Sequence, residues 1–218
     1  AQLEKETAKA YALAEKKARA LTDIRQAAAK RLEERVVGEL RDLSMPSVRF
    51  EVRLLSREGK NALSASGADE VSFVMSANAG EALGPISRIA SGGELSRIML
   101  ALKNVFAEKD GVDALIFDEI DTGVAAQRVA EKLASLGRTK QVLCVTHLPQ
   151  IAAMAQQQYL VEKAEHGGRT YTNIRLLDRE GRRYELARLS GGDMITDIQL
   201  AGAEELLARD ERFRASLS

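Results

Sequence analysis

The first 43 residues contain no proline and a single glycine, Gly38, and most of them are alanine, leucine, lysine, arginine or glutamate. These residue types favour the helix, so the segment predicts one uninterrupted helix over residues 3–43. At 1.5 Å per residue, such a helix is roughly 60 Å long, which exceeds what a small domain needs. The chain is therefore restricted to folds that accommodate one very long helix.

Apolar residues recur along this segment at steps of three or four, which places them on one narrow stripe of the helix. They are Leu21, Ile24, Ala28, Leu32, Val36, Leu40 and Leu43. A stripe of this kind favours a partner helix, and we interpret residues 1–43 as a protruding coiled-coil arm. An ordinary surface helix is the alternative, because the spacing departs from a strict heptad. The sequence begins within this charged helical pattern and without Met, so we expect the natural chain to continue upstream.

Pro46 ends the helical pattern, and the remainder predicts a mixed α/β domain over residues 44–218. Two alternating segments, 48–54 and 71–75, predict a β-hairpin, followed by a loop over 77–85. Helices at 93–108 and 125–136 then alternate with apolar strands at 114–117 and 141–146. This order is typical of a parallel sheet covered by helices on both faces. The last predicted elements are a short helix at 151–155, strands at 159–162 and 171–177, and a helix at 198–209.

Charge, hydropathy and cysteine content limit the class of protein to which the chain can belong. Basic and acidic residues both number 32, so net charge alone does not indicate a nucleic-acid-binding protein. Six arginines between Arg169 and Arg188 form a local excess that suits either a solvated face or a phosphate contact. No apolar stretch approaches the length of a membrane span, and the single cysteine, Cys144, cannot form an intrachain disulfide. We therefore expect a cytoplasmic protein whose one thiol is reduced and lies in the core.

The segment Ser91-Gly92-Gly93-Glu94 precedes an amphipathic helix whose apolar side we assign to Leu95, Ile98, Met99, Leu102, Val105 and Phe106. Small residues at the start of a helix leave backbone N–H groups available at its positive end, which suits a phosphate group. A simple helix cap is the alternative. A second tripeptide of the same type, Ser190-Gly191-Gly192, has no suitable strand after it and is interpreted as a turn.

Two further polar positions follow the predicted parallel strands. Asp118 and Glu119 end the first strand, where adjacent carboxylates suit a Mg²⁺ site and a base for an attacking water. His147 ends the second strand. A helix N-cap pair and a structural histidine are the respective alternatives. The three features, beginning at Ser91, Asp118 and His147, follow one another at about 30 residues, the length of one βαβ unit.

In this order the three features resemble the signature motif, the Walker B strand and the His switch of ABC-type ATPases. The resemblance implies ATP and Mg²⁺ as ligands, with Ser91, Gly92, Gly93 and Glu94 at a nucleotide phosphate and Asp118 at the metal. It further implies that Glu119 is the catalytic base and that His147 contacts the γ-phosphate.

Within that family, Glu94 and the long helix indicate the SMC-like branch, because transporters usually have Gln at the position of Glu94. The segments 116–123 and 145–152 are similar to DNA repair members of this branch. This closer similarity implies head dimerisation and action on DNA in double-strand break repair and recombination, near the nucleoid. One position departs from the pattern: Ala125 stands where most relatives have an aspartate that couples the two ATP sites.

The chain contains no G-x-x-x-x-G-K-[ST] phosphate loop, and its only Gly-Lys pair, Gly59-Lys60, lacks the remaining residues of that motif. We therefore predict the C-terminal half of an ATPase head, inactive alone and completed by an N-terminal half that carries the loop. The other predicted partners are a second head and DNA, with no membrane. A different SMC-like or transporter ATPase half, or a noncatalytic coiled-coil dimerisation scaffold, is the alternative.

Overall fold

The computed structural model describes residues 2–57, 62–88, 92–107, 109–118, 120, 126–166, 169–192 and 194–217, with the side chains of residues 88 and 166 excepted. Among these residues no helix combines the length and the apolar character needed to cross a bilayer. The α-helices and β-strands, in chain order, are α1 Gln2–Asp42, β1 Arg49–Ser56, β2 Asp69–Ser76, β3 Gly84–Pro85, α2 Gly92–Phe106, β4 Ala114–Phe117, α3 Ala126–Leu136, β5 Gln141–Cys144, α4 Pro149–Met154, β6 Tyr159–His166, β7 Arg169–Leu176, α5 Arg179–Gly191 and α6 Asp197–Ser216. A short 3₁₀ helix, Ile86–Arg88, follows β3.

The chain divides between Ser91 and Gly92 into two compact units. The first unit contains α1 and the three-stranded sheet β1-β2-β3. As predicted, α1 is a single long helix, and its last apolar residues, Val36 and Leu40, are fully buried. Towards the other end of the predicted stripe, Ile24 remains exposed. The apolar stripe is therefore buried near the C-terminal end of α1 and is exposed at Ile24.

Polar contacts hold α1 against the β1–β2 hairpin. The carboxylate of Asp69 is buried, accepts hydrogen bonds from Thr22 Oγ1 at 2.9 Å and pairs with Arg25 at 3.0 Å. Glu33 accepts a hydrogen bond from the Val52 N–H group at 2.8 Å. Because a buried carboxylate is costly without partners, these bonds allow Asp69 to lie beneath the helix.

The hairpin itself is longer than predicted. β1 and β2 pair antiparallel over eight residues each, from Arg49 opposite Ser76 to Ser56 opposite Asp69. The prediction of a loop over 77–85 is wrong at its end, because Gly84–Pro85 pairs with β2. Two residues are too few to show a periodic pattern, so this short strand had no sequence signal.

The second unit contains the predicted parallel strand pair, in which β4 and β5 run side by side with Phe117 opposite Cys144. Leu115 and Phe117 are buried, whereas Ala114 and Ile116, which alternate with them, are exposed. The prediction that both faces are covered is wrong for this pair. Ile116 is 74% exposed and Val145, just beyond β5, is 63% exposed.

Three helices form a core cluster at the end of the chain, from Ala152 and Ala153 of α4, Leu186 and Ala187 of α5, and Ala203 and Leu207 of α6. α5 was not among the predicted elements, because its many charged residues obscure the helical apolar period. Asp178 caps it by accepting a hydrogen bond from the Gly181 N–H group at 2.8 Å. α5 extends through Gly191, so the predicted turn at Ser190-Gly191-Gly192 is wrong for its first two residues. Gly192 ends the helix at φ 82°, which favours glycine.

The hairpin β6–β7 pairs antiparallel from Tyr159 opposite Leu176 to His166 opposite Arg169. All eight residues of β7 are exposed, and both strands are longer than predicted. α6 also exceeds its predicted range at both ends. Its start is stabilised by a capping box, in which the Thr196 side chain accepts from the Gln199 N–H group and Gln199 accepts from the Thr196 N–H group.

Candidate functional site

The parallel pairing of β4 and β5 brings Asp118 and His147 to one edge of the sheet. Phe117 lies opposite Cys144, and the Val145 N–H group extends the pairing by donating to the Phe117 carbonyl at 2.9 Å. Asp118 directly follows β4, and His147 follows β5 by three residues. Both residues are exposed. The carboxyl ends of adjacent parallel strands are where open α/β sheets bind ligands.

The start of α2 lies near the same edge. Gly92 and Gly93 open the helix, and Glu94 follows in its first turn. One turn further along, Ser96 Oγ donates a hydrogen bond to the backbone carbonyl of Asp118, with 3.2 Å between the oxygen atoms. This bond brings the beginning of α2 to the end of β4, and the positive helix end therefore lies close to a carboxylate residue.

The buried side of α2 differs from the predicted one. Gly93, Arg97, Leu100 and Ala101 are buried together with Ile98. By contrast, three of the residues assigned to the apolar side, Leu95, Met99 and Phe106, are exposed. The prediction is wrong here because α2 has apolar residues on more than one side, so periodicity alone does not identify the packed side. Tertiary packing determines that Arg97 is buried, and the spacing of apolar residues does not predict it.

His147 lies on a short connection between β5 and α4. Thr146 Oγ1 accepts a hydrogen bond from the Leu148 N–H group at 3.0 Å, and Pro149 begins the helix. Proline at the first helical position is favourable, because the N–H group there has no partner within the helix. The side chains of Pro149 and Ile151–Met154 are buried. The histidine is therefore flanked by a paired strand on one side and a packed helix on the other.

Two arginines that the sequence analysis did not single out lie at the end of α4. Arg182 Nη2 donates to the carbonyls of Ala153 at 3.0 Å and Ala155 at 2.9 Å. Arg214 Nη1 donates to Ala153 at 3.2 Å and to Met154 at 2.9 Å. Burial is the main cause that lowers the pKa of Arg182, and the charge of Arg214 lowers it further. The excess of arginines in 169–188 was a sequence signal for Arg182, whereas no sequence signal was noted for Arg214.

A second charged group stabilises the far end of α2. Lys103 donates a hydrogen bond to the carboxylate of Asp110, and this bond is the largest cause of a lowered pKa for Asp110. The Val112 N–H group donates to the same carboxylate at 3.2 Å. Lys140 adds a further positive charge and donates to the Asp110 carbonyl at 2.6 Å. These contacts hold Asp110 and Val112 ahead of β4.

The residues at this edge suit a magnesium ion that binds together with a nucleotide. They suit less well a metal ion held by protein side chains alone. Within the described ranges, no group of three or more His, Cys, Asp or Glu residues could hold a metal ion. Magnesium is usually held by one or two carboxylates together with substrate phosphates, which matches Asp118 beside a helix start. Ser91, Glu119 and Ala125 lie outside the described residues. The roles of all the site residues therefore stay predictions.

Comparison with known proteins found close relatives, although no family model matches the chain. DNA repair protein RecN of Halalkalibacterium halodurans is 45% identical over 192 residues, covering 86% of this chain and 34% of the relative. DNA repair protein RecN of Treponema pallidum is 45% identical over 202 residues, covering 90% of this chain and 35% of the relative. The chain thus spans about a third of the length of the curated relatives it matches.

Among solved structures, the fold is similar to the Smc head domain with a coiled coil and joint from Pyrococcus yayanosii. The TM-score is 0.56 at 19% identity, covering 87% of this chain and 34% of that one. At this identity the likeness concerns the fold alone. It confirms the predicted fold class, an SMC-type head lobe preceded by a long helix.

Proposed function

Because the chain belongs to the RecN family of DNA repair proteins and spans about a third of its relatives' length, we propose that it supplies one half of an SMC-like ATPase head. The complete protein would bind ATP and Mg²⁺, dimerise through its heads and act on DNA in double-strand break repair and recombination. An N-terminal segment carrying the phosphate loop would complete the head. Residues 1–43 would form the coiled-coil arm and residues 44–218 the head portion, in a cytoplasmic protein that associates with the nucleoid.

The observation that supports this function best is the convergence at the carboxyl edge of β4 and β5. Asp118 and His147 follow neighbouring parallel strands, and the Ser96 hydrogen bond holds the start of α2 beside Asp118. A positive helix end, a carboxylate and an imidazole are the groups that phosphate binding and hydrolysis need. Their order along the chain is also the order in ABC-type ATPases.

Each group has a distinct proposed role. Asp118 would hold Mg²⁺, which neutralises charge on the β- and γ-phosphates when bound. Glu119 would orient the attacking water and accept its proton, and His147 would donate a hydrogen bond to the γ-phosphate. The helix start at Ser91, Gly92, Gly93 and Glu94 would contact the ATP held by the second head.

The exposed face of β4 and β5 supports the half-head interpretation. Ile116 lies opposite Leu143, and both of these side chains and that of Val145 are exposed. Parallel strands are usually covered on both faces, and an apolar surface of this kind is typical of an interaction site. We propose that the segment carrying the phosphate loop covers this face in the complete head.

Glu119→Gln in the complete protein tests the proposed roles. Glutamine keeps the shape of the side chain but cannot accept a proton, so hydrolysis should fall by at least about 100-fold while ATP still binds. ATP-bound dimers should accumulate. Asp118→Asn should instead impair ATP binding and hydrolysis together, because it weakens the magnesium site. Both effects are measured by ATP turnover and by light scattering with ATP and Mg²⁺ present.

Asp113→Asn is the matched control for these variants. Asp113 is an exposed carboxylate at the opposite end of β4, so the variant removes the same charge away from the proposed site. It should leave turnover unchanged. Equal dimer fractions for Glu119→Gln and Asp118→Asn would show that the two carboxylates have been assigned wrongly. Full turnover by Glu119→Gln would contradict the proposed ATPase mechanism itself.

A further inference from the structure

The short helix α4 begins two residues after His147 and requires partners at its other end. A helix leaves its last carbonyl groups without partners inside the helix, and a six-residue helix has few internal bonds to hold it. The side chains of Ala152, Ala153 and Met154 at this end are buried in the second unit. Water therefore has limited access to this end, and other parts of the chain must satisfy its carbonyl groups.

Two arginines from separate helices supply those partners. Arg182 of α5 donates to Ala153 and Ala155 at 3.0 and 2.9 Å, with a longer contact to Ala152 at 3.4 Å. Arg214 of α6 donates to Ala153 and Met154 at 3.2 and 2.9 Å. Positive charge at a helix C-terminus is also favourable towards the helix dipole. The two guanidinium groups thus form a clamp on α4, which we name the arginine clamp.

Burial of two neighbouring positive charges makes the arginine clamp costly in free energy if it serves only to stabilise the fold. Arg182 is 8% exposed, and its charge lies close to that of Arg214. The carboxylate of Glu211 offsets part of the repulsion, whereas Arg179 adds to it. Apolar side chains often replace buried charged groups without loss of stability. Two buried or half-buried cations on one helix end therefore favour a role in positioning.

The position of α4 determines the position of His147, because the connection between β5 and α4 that contains His147 is short. On one side, Val145 is bonded to Phe117 at 2.9 Å. On the other side, the Leu148 carbonyl accepts from Ile151 and Ala152 at 3.1 Å each, which joins it to the first turn of α4. Only Thr146 and His147 lie between these two anchored points. A shift of α4 along its axis would therefore move the imidazole relative to the sheet edge.

We propose that Arg182 and Arg214 are positioning residues for His147, which act by holding α4 through its C-terminal carbonyl groups. The proposal rests on the proposed function, since it assumes that the His147 imidazole meets the γ-phosphate. Neither arginine touches the nucleotide in this scheme. Loss of the arginine clamp should affect the step in which His147 takes part and should leave nucleotide binding largely intact.

Arg182→Met in the complete protein tests the proposal, because methionine keeps much of the apolar stem and removes the charge and the donors. We expect kcat for ATP to fall by at least about tenfold, since small misplacements of a catalytic group have effects of this size or larger. KM for ATP should change by less than about threefold. Arg179→Met is the matched control: it removes exposed ion pairs with Glu204 and Glu211 but no bond to α4. Its kcat should stay at the original value.

A double-mutant cycle with His147→Ala separates positioning from general destabilisation. If Arg182 acts through His147, Arg182→Met should lower kcat by no more than about twofold in a protein that already carries His147→Ala. Hydrogen exchange without nucleotide provides a second readout, in which amides of residues 148 and 150–155 should exchange faster in Arg182→Met than in Arg179→Met. Arg214→Met, from a half-buried position, repeats the test should Arg182→Met fail to fold.

The outcomes distinguish the positioning role of the arginine clamp from the proposed ATPase function. An undiminished loss from Arg182→Met in the His147→Ala background overturns the positioning role and leaves the proposed function standing. Equal losses for Arg182→Met and Arg179→Met also overturn it. Full turnover by His147→Ala alone contradicts the proposed role of the histidine, and the positioning role falls with it.

Discussion

Ser96 donates its hydroxyl hydrogen to the backbone carbonyl of Asp118, across 3.2 Å between the two oxygen atoms. The bond joins the second turn of α2 to the residue that follows β4. These two elements carry different proposed roles, because the start of α2 would meet the ATP of the second head and Asp118 would hold Mg²⁺ in its own head. One hydroxyl group therefore connects the two proposed contact regions.

Removing this hydroxyl should affect function more than stability. Ser96→Ala loses one hydrogen bond, worth about 1 kcal/mol, and gains a few tenths of a kcal/mol in helix propensity. We expect a melting temperature within a few degrees of the original and a several-fold decrease in ATP turnover by the complete protein. Ser135→Ala is the control, because its hydroxyl donates to the Glu131 backbone carbonyl within α3. Matching turnover losses in the two variants would exclude a specific role for Ser96.

Ser91→Arg should separate binding from dimerisation. In the complete protein, each monomer should still bind ATP, because its own phosphate loop is untouched. The bulky cation should prevent the helix start from closing over ATP held by the second head, so the ATP-dependent dimer should disappear from light scattering. Ser190→Arg, in the second Ser-Gly-Gly tripeptide, should dimerise normally. A monomer that loses ATP affinity as severely as a phosphate-loop variant would contradict this arrangement.

The chain by itself should bind ATP weakly and should not hydrolyse it. The backbone nest and the lysine that hold the β- and γ-phosphates are absent from its sequence. Isothermal titration and a phosphate-release assay on the purified chain measure both properties. Addition of the phosphate-loop segment should restore turnover, and Glu119→Gln should abolish the restored activity. Glu119-dependent turnover by the chain alone would show that another phosphate site exists.

The ion pair between Lys103 and Asp110 predicts a pH-dependent contribution to stability. The hydrogen bond from Lys103 is the main cause that holds the pKa of Asp110 below its ordinary value of 3.8. The folded state therefore favours the ionised form, so this contribution is present at neutral pH. It is lost as the pH falls below about 4, through the lowered folded pKa.

Asp110→Asn should consequently lower the urea midpoint of the chain at pH 7, and the difference from the original chain should shrink at pH 3. Lys103→Gln should produce the same trend, because it removes the other partner. Asp113→Asn, an exposed acid three residues further on, serves as the control. An Asp110→Asn deficit that is as large at pH 3 as at pH 7 would show that ionisation of Asp110 does not stabilise the fold.

The pattern of residues close together in sequence was sufficient to predict α1, β4 and β5 and the shared sheet edge of Asp118 and His147. The absence of proline and the apolar spacing predicted α1, and apolar segments ahead of Asp118 and His147 predicted β4 and β5. Because parallel strands end at the same edge, their order also predicted that these two residues share it. These features depend on residues that are close together in sequence, so a single chain reveals them.

Tertiary structure decided the features that depend on partners distant in sequence. α2 is apolar on more than one side, and packing selected the side containing Arg97 and Ala101. α5 has a weak apolar period, so its burial against α4 and α6 identifies it better than its own residues do. The arginine clamp joins Arg182 and Arg214 to carbonyl groups about 30 and 60 residues away. Backbone carbonyls are present at every residue, and only the folded chain determines which of them need a charged partner.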